Sequence, residues 1–138
     1  MIVLDTNVLS EALRPTPSAK VLDWMRSQPI PTLFTTTITE AELYYGLALL
    51  PKGKRRRSLE SIVEAIFTQD LAGRVLPFDS SAAREYADIA ATRRLAGRPI
   101  SEADAQIAAI VRSCRASLAT RNMADFSDCG LKVIDPWL

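Results

Sequence analysis

Short apolar runs alternate along the chain with longer stretches in which apolar residues recur every three or four positions. Ile2-Val3-Leu4 is a run of strand formers with no polar alternation, as expected of a strand buried on both faces. Leu33-Phe34-Thr35-Thr36, Arg74 to Phe78, Ser117 to Thr120 and Leu131 to Ile134 supply further predicted strands. Helical spacing fills the intervals. A short helix capped by Thr6 or Asn7 ends near Pro15, and a second, Ser18 to Ser27, carries Val21, Leu22 and Met25 on one face. Further helices are predicted from Thr39 to about Leu50, from Arg55 to Gln69, from a cap at Asp79 or Ser80 through Leu95, and from Ser101 to about Arg115. Proline and glycine punctuate the joints at Pro29, Pro31, Pro51, Gly53, Gly97 and Pro99. Strands separated by helices predict one α/β domain over residues 1–138. Its largely parallel sheet of about five strands should carry helices on both faces. Ligands of such open sheets bind outside the carboxyl ends of the strands.

Composition narrows the chemistry. With 138 residues, 48% hydrophobic and 24% charged, the chain can bury a core without disulfides or structural metal. No apolar run approaches the roughly 20 residues of a membrane span, and the start lacks the basic flank of a signal peptide, so a cytoplasmic location is expected. Histidine is absent. That excludes imidazole-based triads, imidazole acid–base pairs and His-containing zinc sites. Cys114 and Cys129 make no disulfide framework and are expected to be reduced and buried. The net charge of +1 says little about partners. Locally, Lys52, Lys54, Arg55, Arg56 and Arg57 form a basic block that is either a phosphate-binding patch or a solvated turn; Arg93 and Arg94 could equally serve.

The remaining chemistry belongs to oxygen ligands. Asp5 closes the first strand, where the chain leaves the core at the carboxyl edge; it either holds a cation or caps the next helix. Glu42 follows Thr39 at capping-box spacing, so it either reaches back to a cap amide or points into a site. Asp104 repeats this ambiguity after Ser101. Asn122 and Asp125 follow the fourth strand and offer oxygens at another carboxyl edge, or ordinary turn chemistry. Carboxylates that converge repel one another unless a cation joins them. Hard divalent cations such as Mg²⁺ take such oxygen ligands and can drive phosphodiester hydrolysis without histidine.

Five segments, in order along nearly the whole chain, resemble the PIN-domain family, and within it the VapC-type and FitB-like toxins of bacterial toxin–antitoxin pairs. They are Met1-Ile-Val-Leu-Asp5-Thr-Asn-Val-Leu-Ser10-Glu, Thr37-Ile-Thr-Glu-Ala-Glu42-Leu-Tyr-Tyr-Gly46, Arg74-Val-Leu-Pro-Phe-Asp79, Pro99-Ile-Ser-Glu-Ala-Asp104-Ala-Gln-Ile-Ala108 and Leu118-Ala-Thr-Arg-Asn122-Met-Ala-Asp-Phe126. The tail Val133-Ile-Asp-Pro-Trp137 is also similar. The resemblance implies a parallel-sheet α/β sandwich and an endoribonuclease dependent on Mg²⁺ or Mn²⁺. It places the first three acidic metal ligands at Asp5, Glu42 and Asp104. The fourth position falls on Asn122, where some members have Asp; Asp125 is the nearest charged substitute. Thr6 and Thr120 become hydroxyls that support the acids. A small inhibitory antitoxin, an RNA substrate and a homodimer are further implications.

Two other readings stand beside this one. Asp5-Thr6-Asn7-Val8-Leu9 superficially resembles the signature of haloacid-dehalogenase-like phosphatases, in which the first Asp is phosphorylated, although Asn7 replaces the second acid. Alternatively, the acidic pocket could belong to a non-catalytic partner-binding module.

Overall fold

The computed structural model describes residues 1–138. Five strands lie in the order β3-β2-β1-β4-β5, with every neighbouring pair parallel. They are β1 (Ile2–Leu4), β2 (Leu33–Thr36), β3 (Val75–Leu76), β4 (Ser117–Ala119) and β5 (Lys132–Ile134). The sheet is thus wholly parallel. Six helices connect the strands: α1 (Thr6–Ala12), α2 (Ala19–Ser27), α3 (Thr37–Ala48), α4 (Lys54–Ala65), α5 (Ser80–Leu95) and α6 (Glu102–Ser113).

Successive strand residues point to opposite faces, and each face meets its own helices. Val3 and Leu118 face a core built with Ile89 of α5, Ile107 and Val111 of α6, and Phe126. Leu4 and Ala119 face the other core, formed with Val8 of α1, Val21 of α2, Leu43 and Leu47 of α3, and Val63 of α4. Both faces are dry, so the strands read as apolar runs without alternation.

Several boundaries differ from the sequence expectation, each for a local reason. The cap of α1 is Asp5, not Thr6 or Asn7: its carboxylate accepts the Thr6 amide at 2.8 Å. α3 begins at Thr37, not Thr39, because the Thr36 hydroxyl accepts the Thr39 amide at 3.1 Å and caps the helix directly off β2. Thr39 and Glu42 therefore do not form a capping box. α4 ends at Ala65, and a single wide turn, Ile66–Asp70, carries the chain out of it. β3 is shorter than expected, with two residues. Asp79 and Ser101 cap α5 and α6, as two of the expected capping residues. Both cysteines are free, and Cys129 is buried, but Cys114 at the end of α6 is only half-buried. No helix is long and apolar enough to cross a membrane.

Candidate active site

The register of the sheet sets the site. Leu4 pairs with Ala119, so Asp5 and Thr120 emerge side by side at the carboxyl ends of the two central strands. The Asp5 amide still donates to the Ala119 carbonyl at 2.9 Å, and the Thr35 hydroxyl holds the Leu4 carbonyl at 2.9 Å. Asp5 is only 4% exposed. Its Oδ1 accepts the Thr6 amide, while its Oδ2 accepts the Thr120 hydroxyl at 2.7 Å and the Asn7 side-chain amide at 3.2 Å.

Asn7 reads in the sequence as a helix cap or as a replaced acid, yet it joins the carboxyl ends of β1 and β4. Its Nδ2 also donates to the Thr120 hydroxyl at 3.1 Å, and its Oδ1 accepts the Arg121 amide at 3.2 Å. Thr120 in turn accepts the Asn122 amide at 3.1 Å. A polar residue two positions after a buried strand-end carboxylate, at the same sheet edge, is the signal the sequence carries for this role.

Glu42 lies on the solvent side of α3, one turn beyond the cap. The Thr6 hydroxyl donates to its Oε1 at 2.7 Å and lies 3.0 Å from the Thr39 hydroxyl. A hydroxyl has one proton, so with Thr6 committed to the carboxylate, Thr39 donates to Thr6. Thr36 stands 3.4 Å behind Thr39. A short relay of threonine hydroxyls therefore fixes the orientation of an otherwise exposed carboxylate.

Asp104 occupies the first turn of α6, where the Ser101 hydroxyl accepts its amide at 3.2 Å. The segment after β4 forms a short 3-10 turn, Met123–Phe126, that supports the opposite wall. Asn122 and Asp125 are both exposed there, and the Asn122 side chain makes no hydrogen bond.

Electrostatics tie these acids together. Burial pushes the Asp5 carboxyl from 3.8 up to about 6, against the lowering effect of Thr120 and the Thr6 amide. The charges of Asp104 and Glu42 raise it further. Asp104 is also raised, chiefly by burial, and then by Asp125 and Glu42, while Ser101 and Arg93 oppose the shift. Asp125, not Asn122, is thus the residue of the fourth segment whose charge reaches Asp104. No three acids or thiols stand close enough to coordinate one ion as they lie. The donor set is nevertheless a set of hard oxygens whose mutual repulsion a divalent cation would relieve, which is the chemistry of Mg²⁺ and Mn²⁺ sites.

The basic candidates separate by burial. Arg93 is 6% exposed and cannot serve as a surface phosphate contact. Within the basic block, Arg56 is taken up by Glu60 at 2.6 Å and by the Leu50 carbonyl at 3.1 Å, whereas Lys52, Lys54, Arg55 and Arg57 are exposed. Arg55 also stands beside a cleft of about 290 Å³ between α1, α3 and α4. Leu13, Leu43, Leu47 and Leu59 line it together with Glu42 and Arg14.

The model of the PIN domain matches residues 2–129. The chain belongs to the PIN-domain family. It is similar to a VapC ribonuclease of Sinorhizobium fredii, with 46% identity covering 99% of this chain and 98% of that one. It is also similar to the toxin FitB of Neisseria gonorrhoeae, 39% identical over 99% of each chain. Among solved structures, FitAcB from the same organism superposes with a TM-score of 0.93, at 39% identity and 99% coverage of both chains. This PIN domain therefore shares its whole fold with FitAcB, and the family assignment sets the phosphatase reading aside.

Proposed function

We propose that this PIN domain is the toxin of a toxin–antitoxin pair and acts as a metal-dependent endoribonuclease. The observation that carries the reading is the buried carboxylate of Asp5, which shares one sheet edge with Glu42 and Asp104. The names of the relatives, a VapC ribonuclease and a toxin, support it.

In this reading Asp5, Glu42 and Asp104 hold a divalent cation, Mg²⁺ with Mn²⁺ as an alternative. Such an ion supplies Lewis acidity to a phosphodiester and acidifies water at neutral pH. The protein supplies the geometry. Thr120 and Asn7 occupy one oxygen of Asp5, and the Thr6 amide the other, so the carboxylate cannot rotate away. Thr6 holds one oxygen of Glu42 and leaves the second free. Asp104, presented from the first turn of α6, would supply the third carboxylate. Asn122 or Asp125 completes the fourth side; the influence of Asp125 on Asp104 supports Asp125, while the position of Asn122 in the family pattern supports Asn122. Exposed Lys54, Arg55 and Arg57 are suited to the RNA backbone.

The cleft of α1, α3 and α4 suits an antitoxin. Its floor is leucine-rich, and Glu42 stands on its lining, so an amphipathic segment could bury apolar side chains and direct an arginine to the acid. A homodimer, which rests on the family resemblance, and a cytoplasmic location, to which the two free cysteines are suited, belong to the same proposal.

Expression of the chain alone in a bacterial host tests this reading. Wild-type protein should arrest growth with new RNA ends, and Asp5→Asn at equal soluble level should not. Equal harmlessness of the two would count against a toxin.

A further inference from the structure

We infer that Arg93 is a positioning residue for the acidic site, tying the loop that leads into Asp104 to the turn that carries Asp125. The inference rests on the metal-site reading above. Arg93 lies in the last turn of α5. Its guanidinium is buried and has no carboxylate within ion-pair distance: none of the ion pairs of the fold includes it. Its acceptors are backbone carbonyls. Nε donates to the Arg98 carbonyl at 2.8 Å, and one terminal nitrogen donates to the carbonyls of Asp125 at 2.9 Å and Ser127 at 3.0 Å. The Cys129 sulfur lies 3.7 Å from the same nitrogen.

These bonds join segments that are remote in sequence. Arg98 begins the loop that leads through Ser101 into Asp104. Asp125 and Ser127 belong to the turn that follows Asn122. The Arg93 carbonyl also accepts the Arg98 amide at 2.9 Å, closing the first loop on the helix end. A buried cation whose hydrogen bonds go to neutral carbonyls is costly to keep unless nearby anions offset it. Those anions are at the site: the charge of Arg93 acts on Asp104, which also feels Asp125. Its fork thus sets the spacing of the Asp104 and Asp125 walls, and its charge offsets their repulsion. Leu or Met at this position would fill the volume but donate nothing to the carbonyls of either loop. Lys would keep the charge but not the planar fork.

Calorimetric titration of the whole protein with Mn²⁺ and with Mg²⁺ tests the inference, with thermal unfolding recorded in chelator. Groups that orient metal ligands typically contribute about 10- to 100-fold to metal affinity. Arg93→Lys and Arg93→Met should each weaken binding by roughly that factor. Arg112→Met is the control. It cuts the links of α6 to Glu85 and Asp88 on α5 and to the Cys129 carbonyl, at the far end of α6 from Asp104. It should lower the unfolding temperature and leave the dissociation constant unchanged. Equal metal affinity in Arg93→Lys and wild type would overturn the inference, as would an equal loss in Arg112→Met. If Arg93→Met does not fold, the Lys variant decides alone. Failure of the underlying site reading looks different: wild-type protein would then bind no cation, or bind it undiminished after Asp104→Asn.

Discussion

Asp5 is a carboxylate placed where charge is expensive. Its pKa rises from 3.8 in the unfolded chain to about 6 in the fold, so the native state binds the proton more tightly. The sign of the linkage follows: this group favours folding below about pH 4, and that contribution is lost as pH rises through 6. At neutral pH the cost is on the order of 3 kcal/mol. A cation held at the site relieves it. Thermal unfolding should therefore show a large stabilisation by Mn²⁺ near neutral pH and a small one near about pH 5, where protons compete with the ion. A stabilisation independent of pH would contradict the role of Asp5. Substitution acts on the same side chains. Asp5→Asn and Asp104→Asn should each lower RNA cleavage by on the order of 10²-fold or more, with the fold retained by circular dichroism. Thr6→Val is nearly isosteric and removes the donor to Glu42; cleavage should fall by about 10-fold while the unfolding temperature changes little.

At the scale of elements, the beginning of α4 divides the basic block into unequal parts. Arg56 closes onto Glu60 and the Leu50 carbonyl, so it braces the α3–α4 corner, whereas Arg55 and Arg57 project into solvent. Arg55→Gln with Arg57→Gln should flatten the salt dependence of RNA binding, by about 0.7 in the log–log slope for each phosphate no longer neutralised. Arg56→Gln should cost stability instead, and leave that slope unchanged. Fluorescence anisotropy over a salt series separates the two; an unchanged slope in the double variant returns the whole block to a solvated turn. The elements also show where sequence patterns mislead. Thr39 and Glu42 satisfy capping-box spacing, but Thr36, the last residue of β2, caps α3 first. Glu42 is thereby moved a turn into the helix, free to meet Thr6. Local spacing cannot reveal a cap that comes from a strand running straight into its helix.

At the scale of the molecule, the order of strands lies beyond local pattern, yet their apolar runs already imply a sheet covered on both faces. Ile2-Val3-Leu4 lacks alternation because Val3 and Leu4 enter different cores. Asp5, Glu42 and Asp104 are legible in the sequence as acids at strand and helix ends. Asn7 is marked only by its place two residues after Asp5, since it meets Thr120 across 113 positions of sequence, and Arg93 carries no local mark, since it meets Asp125 across 32. Arg93 reads as a surface cation in the sequence because nothing local shows that the loop after β4 closes over it. In the proposed function, one oxygen-ligand site at the carboxyl edge of this sheet cleaves RNA. Incubating purified, partner-free protein with a total RNA pool, and mapping the new ends with Mg²⁺, with Mn²⁺ and with excess chelator, decides whether it does. Discrete cleavage is expected with either ion, none in chelator, and none from Asp104→Asn with either ion present; undiminished cleavage in chelator, or by Asp104→Asn, would contradict it.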